Sequence, residues 1–494
     1  MSVLKKFAGQ TFIYGVSTIL SRLFNFILTP IFTRTYAASA YGILTTMFSY
    51  ASLISAVLSL GMETTFFRYL NKHEDKKEDV YNNSFFSVLG ISVLFLITGL
   101  TFTDSITSWL VEGGSATYDD QRLYVQIFVW LLFIDAICII PFAKLRADNK
   151  PIRYSLIKFV NILSFVGLNL FFIYLIPLAL KTSWGQGLFE SWYKENWIGY
   201  VFVSNIVASI LTFLLLIPEF LKLSLRFNTK LFKEMLSYSW PILVANLSFI
   251  INENLDKILL GRYLTDAQVG IYGAVCKIAI FMSIFNMAFR LGAEPFFFSY
   301  AKEKNARQTY ATILEYFVIA LTIIFVGLIA NIEILKYFIS RDKANISEYW
   351  SGLPAVPYLL LGYMCLGIYM NLSIWYRLSD QTKYGLYISV IGAVITIAFN
   401  VLLIPKYGYM GSAWVSLFTY GTMMTISYIL GQKKYPIPYN LTKILTYLLI
   451  SVVLVFLSFF VFDRNIYIGN GLLLLFVFGI VWNEKKLISM LAKK

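Results

Sequence analysis

Apolar residues in this chain come in blocks of about twenty, separated by short polar stretches. That length matches an α-helix crossing a bilayer, and the blocks lack the apolar–polar alternation of membrane strands. Fourteen spans can be read: 10–31, 41–62, 84–103, 123–143, 155–178, 199–218, 236–256, 268–289, 309–331, 354–374, 384–404, 409–430, 443–462 and 466–483. The expected fold is therefore an all-α polytopic membrane protein of about 14 transmembrane helices. The longest connections, of about twenty residues, fall between spans 3 and 4, 5 and 6, and 9 and 10, and no soluble domain is inserted.

The pattern repeats. Leu60-Gly61-Met62-Glu63-Thr64-Thr65-Phe66-Phe67-Arg68-Tyr69 matches Leu291-Gly292-Ala293-Glu294-Pro295-Phe296-Phe297-Phe298-Ser299-Tyr300 at six of ten positions, at an offset of 231. Arg34 through Gly42-Ile43 matches Arg262 through Gly270-Ile271 at an offset of 228, and Asn169 with Ile176-Pro177 echoes Asn400 with Ile404-Pro405. The unit is six spans. Six is even, so both copies enter the membrane in the same direction, as a parallel repeat. The expected domains are an N-terminal six-helix lobe (1–222), a C-terminal six-helix lobe (223–432) and two further helices (433–494).

Composition supports the membrane assignment. Hydrophobic residues are 58%, charged residues 14%, and mean hydropathy is +0.69. A soluble domain carries roughly 25% charge. The net charge of +14 is unevenly placed: 27 Lys and Arg lie on the side of the N-terminus, the even-to-odd connections and the C-terminus, and 11 lie on the other. By the positive-inside rule both termini are cytoplasmic, in a multi-pass protein of the cytoplasmic (inner) membrane. No soluble basic face exists for nucleic acid. One histidine, His73, and three cysteines within apolar runs, Cys138, Cys276 and Cys365, make no metal cluster, so no cofactor is expected. His73 stands in a charged loop and is expected to be solvated. No phosphate-binding P-loop sequence is present, and Asp119-Asp120 has no attendant cluster, so catalytic chemistry is not expected.

Charged groups inside a membrane need a partner or a cavity. In span 1, Thr18, Ser21, Arg22, Asn25 and Thr29 fall within about 100° of one helix face. Span 7 carries Asn246, Glu253 and Lys257 on one line, and the repeat maps Thr18, Asn25 and Thr29 onto those three. Both stripes are read as lining a central cleft, with helix–helix hydrogen bonding as the alternative for the neutral residues. Lys277, ~12 Å into span 8, is a second cationic candidate for the cleft. Asp135, Glu253 and Asp256 are candidates for ion coupling; Asp256 has an interfacial alternative, and Glu253 has pairing with Lys257. Lys158, near the inner end of span 5, is expected to snorkel. Glu63 and Glu294 are expected to form salt bridges at the span ends.

The chain resembles the polysaccharide-export (Wzx-type oligosaccharide-lipid flippase) branch of the multidrug/oligosaccharidyl-lipid/polysaccharide exporter superfamily. The likeness is carried by Ser21-Arg22, by Arg34 with Tyr41-Gly42-Ile43, and by Leu60-Gly61-Met62-Glu63 with Arg68-Tyr69. It continues in Asp256-Lys257-Ile258-Leu259-Leu260-Gly261-Arg262-Tyr263 with Val269-Gly270-Ile271-Tyr272, and in Asn400-Val401-Leu402-Leu403-Ile404-Pro405 with Gly411-Ser412-Ala413. The resemblance implies two lobes in a V, alternating access, and the flipping of an undecaprenyl-diphosphate-linked oligosaccharide for O-antigen- or capsule-type polysaccharide or lipopolysaccharide biosynthesis. Its implied partners are that lipid-linked oligosaccharide, membrane lipid, H+ or Na+, and other polysaccharide-assembly proteins. The related lipid-linked peptidoglycan-precursor flippases carry further basic residues after the first Arg of span 1, where this chain has Leu28 and Thr29. A cation-coupled multidrug exporter, and a membrane glycosyltransferase or polymerase, are the alternatives.

Overall fold

The structure is a computed structural model and describes residues 26–111, 114–301, 303–339, 346–379 and 381–484, apart from the side chains of residues 74, 291, 295, 299 and 346. Every regular element among the described residues is helical. Residues 26–35 form α1. It is followed by α2 (Ala38–Ser59), α3 (Met62–Lys72), α4 (Lys77–Thr101), α5 (Thr103–Val111), α6 (Tyr118–Ala147), α7 (Pro151–Leu170), α8 (Gly199–Phe220), α9 (Thr229–Tyr263) and α10 (Asp266–Tyr300). Then come α11 (Ala306–Ala330), α12 (Val356–Leu372), α13 (Ile374–Leu378), α14 (Lys383–Tyr407), α15 (Tyr409–Lys434), α16 (Leu441–Phe456) and α17 (Ile466–Asn483). Among the described residues, 13 helical segments are long and apolar enough to cross a membrane. The remaining expected span, 10–31, lies outside the described residues except for its last six, which are helical.

Local chemistry places the ends. Side chains of Thr117, Asn228, Asn440 and Asn465 accept hydrogen bonds from the first free backbone N–H groups of α6, α9, α16 and α17. Pro151 begins α7, where its missing N–H costs nothing. Leu60 and Gly61 take left-handed φ values of 49° and 65°, which turn the chain from α2 into α3. Beyond α7 the helix widens into a π-turn at Phe171–Leu175, just before Pro177. In that turn the Ile176 N–H bonds to Phe171 O, and Pro177 has no N–H to offer Phe172 O. The Tyr193 hydroxyl donates to that carbonyl at 3.0 Å instead. The connections read as long loops are partly helical: they hold α5, Ser183–Phe189, Ile332–Ile339 and Ile346–Trp350.

The chain folds into two compact units, Met1–Gly273 and Ala274–Lys494. In the first, α6 is the centre and packs against α2, α4 and α8, burying Leu131, Leu132, Ala136 and Ile140. In the second, α12 packs on α15, α14 also packs on α15, and α11 carries α16 and α17. Almost every residue of α12 is buried, as suits a helix apolar on all sides.

The repeat is written into contacts within the first unit. A Cβ on Gly42 would lie 1.8 Å from Asp266 O, and one on Gly270 would lie 1.9 Å from Ala38 O. Ala38 and Asp266, like Gly42 and Gly270, are counterparts in the two repeats, related by the same offset as Arg34 and Arg262. A Cβ on Gly273 would meet Thr45 Oγ1, on its own repeat counterpart, at 2.6 Å. Such reciprocity, in which i meets j and the equivalent of j meets the equivalent of i, is the mark of a local two-fold relation.

Candidate functional site

The first unit holds an open cavity of about 530 Å³ between α2, α6, α8 and α9. From α2 come Phe48, Ser52, Ser55 and Ser59, from α6 Asp135, from α8 Asn205, and from α9 Asn246 and Phe249. The spacing of Ser52, Ser55 and Ser59 (i, i+3, i+7) puts all three hydroxyls on one face of α2. The lining thus mixes hydroxyls, amides, two aromatic rings and one carboxyl group with the aliphatic side chains of Ala51, Ala56, Leu131, Leu132 and Ile250, and holds no cation among the described lining residues.

Asp135 lies deep in the bundle yet keeps exposed surface, because it opens on this cavity. Ser209 Oγ on α8 donates to its Oδ1 at 2.6 Å. Lys158 on α7 is an electrostatic neighbour of the same carboxylate, and its ammonium lies 4.2 Å from the centre of the Phe142 ring. Lys158 therefore does not snorkel to the membrane face. The rotation of α7 turns it inward, while Ile152, Leu156, Phe159 and Leu163 form the exposed apolar stripe of that helix.

The other sequence candidates are distributed differently. Thr18, Ser21, Arg22 and Asn25 lie outside the described residues. Thr29 on α1 is buried, its carbonyl accepting from Thr33 Oγ1 at 3.0 Å, and it is not among the cavity's lining residues. Asn246 lines the cavity, whereas Glu253 and Lys257, farther along α9, do not. Lys257 Nζ donates to Glu253 O and to Asp256 Oδ1, both at 2.8 Å, and the Tyr272 hydroxyl donates to Asp256 Oδ2 at 2.8 Å. Asp256 is accordingly buried in a polar knot. Lys277, half-buried on α10, belongs to the second unit. His73 is half-buried too, not solvated: its ring stacks on Tyr69 with centroids 5.8 Å apart, and Nε2 lies 3.9 Å from Glu234.

A second cavity, of about 20 Å³, lies in the second unit and is lined by Asn286, Arg290, Glu294, Asn371 and Arg377 among others. Asn286 and Arg290 are the repeat counterparts of Ser55 and Ser59, by the offset that relates Glu63 to Glu294, so the same helix positions line a cavity in each unit with different chemistry. Sequence reading missed Ser52, Ser55, Ser59, Asn205 and Ser209. The i, i+3, i+7 serine spacing on α2 was the available signal.

Residues 7–301 match the polysaccharide biosynthesis protein family. The chain belongs to that family. Residues 241–402 also match the MatE family, and together the two matches place the chain in the exporter superfamily that the sequence motifs resemble. Members of this superfamily are transporters, not enzymes. An uncharacterised membrane protein of Methanocaldococcus jannaschii is 23% identical over 461 residues, covering 89% of this chain and 86% of that protein. The fold is that of the lipid II flippase MurJ in its inward closed conformation, with a TM-score of 0.72 at 16% identity over 96% of this chain and 99% of that one. It is also that of a multidrug resistance MATE family transporter in its inward-facing conformation, with a TM-score of 0.62 at 13% identity over 84% and 94%.

Proposed function

We propose that this family member flips a polyprenyl-diphosphate-linked oligosaccharide across the cytoplasmic membrane by alternating access, with both termini cytoplasmic and the two six-span repeats as the moving lobes. The observation that carries the reading is the cavity at Ser52, Ser55, Ser59, Asn205 and Asn246. Serine hydroxyls and asparagine amides both donate and accept hydrogen bonds, as sugar hydroxyls do, and Phe48 and Phe249 offer apolar faces for pyranose rings. Its volume of about 530 Å³ suits a small number of sugar units. The hydrocarbon tail stays in lipid. The diphosphate needs cations that this cavity lacks among its described residues. We assign that role to Arg22 of span 1, whose planar fork binds two phosphate oxygens at once, with Lys277 as a second cation.

The test is the sidedness of lipid-linked glycan in a deletion strain complemented with variants. Ser55→Leu and Asn205→Leu should leave the glycan on the cytoplasmic leaflet at normal protein abundance. Arg22→Ala should do the same, and Arg22→Lys should transport partially. Normal export with Arg22→Ala would remove that residue from the mechanism.

A second reading rests on Asp135, the one charged group among the described lining residues: a proton- or sodium-coupled exporter of cationic drugs. Under it, Asp135→Asn abolishes dye efflux while glycan sidedness is unchanged in the deletion strain.

A further inference from the structure

We propose that the connection between the two sequence repeats, residues 221–230, is a preorganised contact for an anionic lipid leaflet. Its backbone is clamped. Asn82 Nδ2 donates to Ser224 Oγ at 2.6 Å, and Ser224 N donates back to Asn82 Oδ1 at 3.1 Å. Asn83 Nδ2 donates to Asn228 O at 2.8 Å, and Asn228 N donates back to Asn83 Oδ1 at 2.9 Å. Both asparagines are fully buried at the start of α4. Asn228 also caps α9 through Leu231 N, and Phe227 packs on Phe232 with ring centroids 5.2 Å apart, closing a hydrophobic staple. The short arc Leu225-Arg226-Phe227 is held out between two fixed points.

What this arc presents is unlike an ordinary loop. Leu225 is 96% exposed, Leu221 79% and Phe227 47%. Ile210, Leu214 and Ile217 are exposed on α8, which ends at Phe220, and the exposed Leu221, Leu225 and Phe227 follow in the irregular connection, so exposed apolar side chains continue from the span into the arc. Apolar side chains this exposed, directly at the end of a span, name the occupant: the lipid that the span's own exposed residues face. The basic residues name the leaflet chemistry. Arg226, Lys230 and Lys233 are exposed, and no acidic residue lies between Glu219 and Glu234. Those two flanking acids are engaged: Glu219 with Arg153 and Lys222, and Glu234 with Lys72. Leucine inserted among anionic headgroups, with arginine and lysine beside it, is how a juxtamembrane basic segment binds a charged surface. The positive-inside distribution makes this the cytoplasmic leaflet.

The experiment uses the full chain in nanodiscs. Leu225→Cys is labelled with a polarity-sensitive fluorophore; the three native cysteines are buried. In phosphatidylcholine containing phosphatidylglycerol, the label should emit as from an apolar site and be quenched by a nitroxide at headgroup depth. Arg226→Ser and Lys230→Ser should each lower the preference for phosphatidylglycerol about five-fold, the equivalent of ~1 kcal/mol per base at an anionic surface. Asn83→Ala should broaden the depth distribution, because both bonds to the Asn228 backbone are lost. A label open to aqueous iodide and indifferent to phosphatidylglycerol would overturn the proposal, since the arc would then face water or a soluble partner. Transport is not read out, so failure of the flippase reading leaves this result untouched.

Discussion

Arg146 Nη2, at the end of α6, donates to Glu63 Oε1 on α3, and this pair recurs in the second repeat, where Arg377 Nη1 donates to Glu294 Oε1 at 2.5 Å. The expected end-of-span salt bridges are thus present in both units, and the repeat has kept both partners although they are 83 residues apart in each copy. The carboxylates and guanidiniums are partly exposed, so each pair is worth less than a buried one. A double-mutant cycle with Glu294→Gln and Arg377→Gln, read by thermal unfolding in detergent, should give a coupling of about 0.2–1 kcal/mol. Zero coupling would reduce the pair to coincidental proximity.

Gly42 and Gly270 are predicted to be intolerant of any side chain. A Cβ on either would overlap a backbone carbonyl, which cannot rotate away. Gly42→Ala and Gly270→Ala should each cost about 1–3 kcal/mol or more by forcing α2 away from the first turns of α10. Gly90→Ala, with nothing near its Cβ, should be neutral or slightly stabilising. Equal melting points for all three variants would contradict the close contact.

Asp135 depends on Ser209. Removing the hydroxyl with Ser209→Ala should lower stability by about 0.5–1.5 kcal/mol, the usual net worth of a hydrogen bond. Asp135→Asn keeps an oxygen that accepts from Ser209, so it should unfold close to wild type and report on transport alone. Unchanged stability in Ser209→Ala would show that water replaces the hydroxyl.

Tyr193 should give an alkaline signature outside the spans. Burial, then the neighbouring Tyr200 and Glu195, push its phenol from 10.0 up to about 12. Its ring stacks on Tyr200, and Tyr200 stacks on Phe172. The folded state therefore favours the neutral phenol. The associated stability is intact below pH 10.0 and is lost as pH rises toward about 12. The difference in tyrosinate absorbance between wild type and Tyr193→Phe should have its midpoint near the upper value. A midpoint near 10 would place the hydroxyl in water.

The hydropathy blocks, the charge asymmetry and the internal repeat are properties of one dimension, and a bilayer reads them in one dimension. Span length, the all-helical class and the recurring Glu63 and Glu294 could be derived without coordinates because each follows from local hydrophobicity or from offset alone. Helix rotation could not, since it depends on which neighbours compete for each face. Lys158 turned inward because α7 presents its apolar stripe elsewhere, and Asp256 is buried where Lys257 and Tyr272 bond to it. Asp135 acquired Ser209, and the serines of α2 acquired Asn205 and Asn246, through packing between residues far apart in sequence. The cavity exists only where four helices from distant parts of the chain converge, and the tertiary structure alone decided which of many intramembrane polar groups share it.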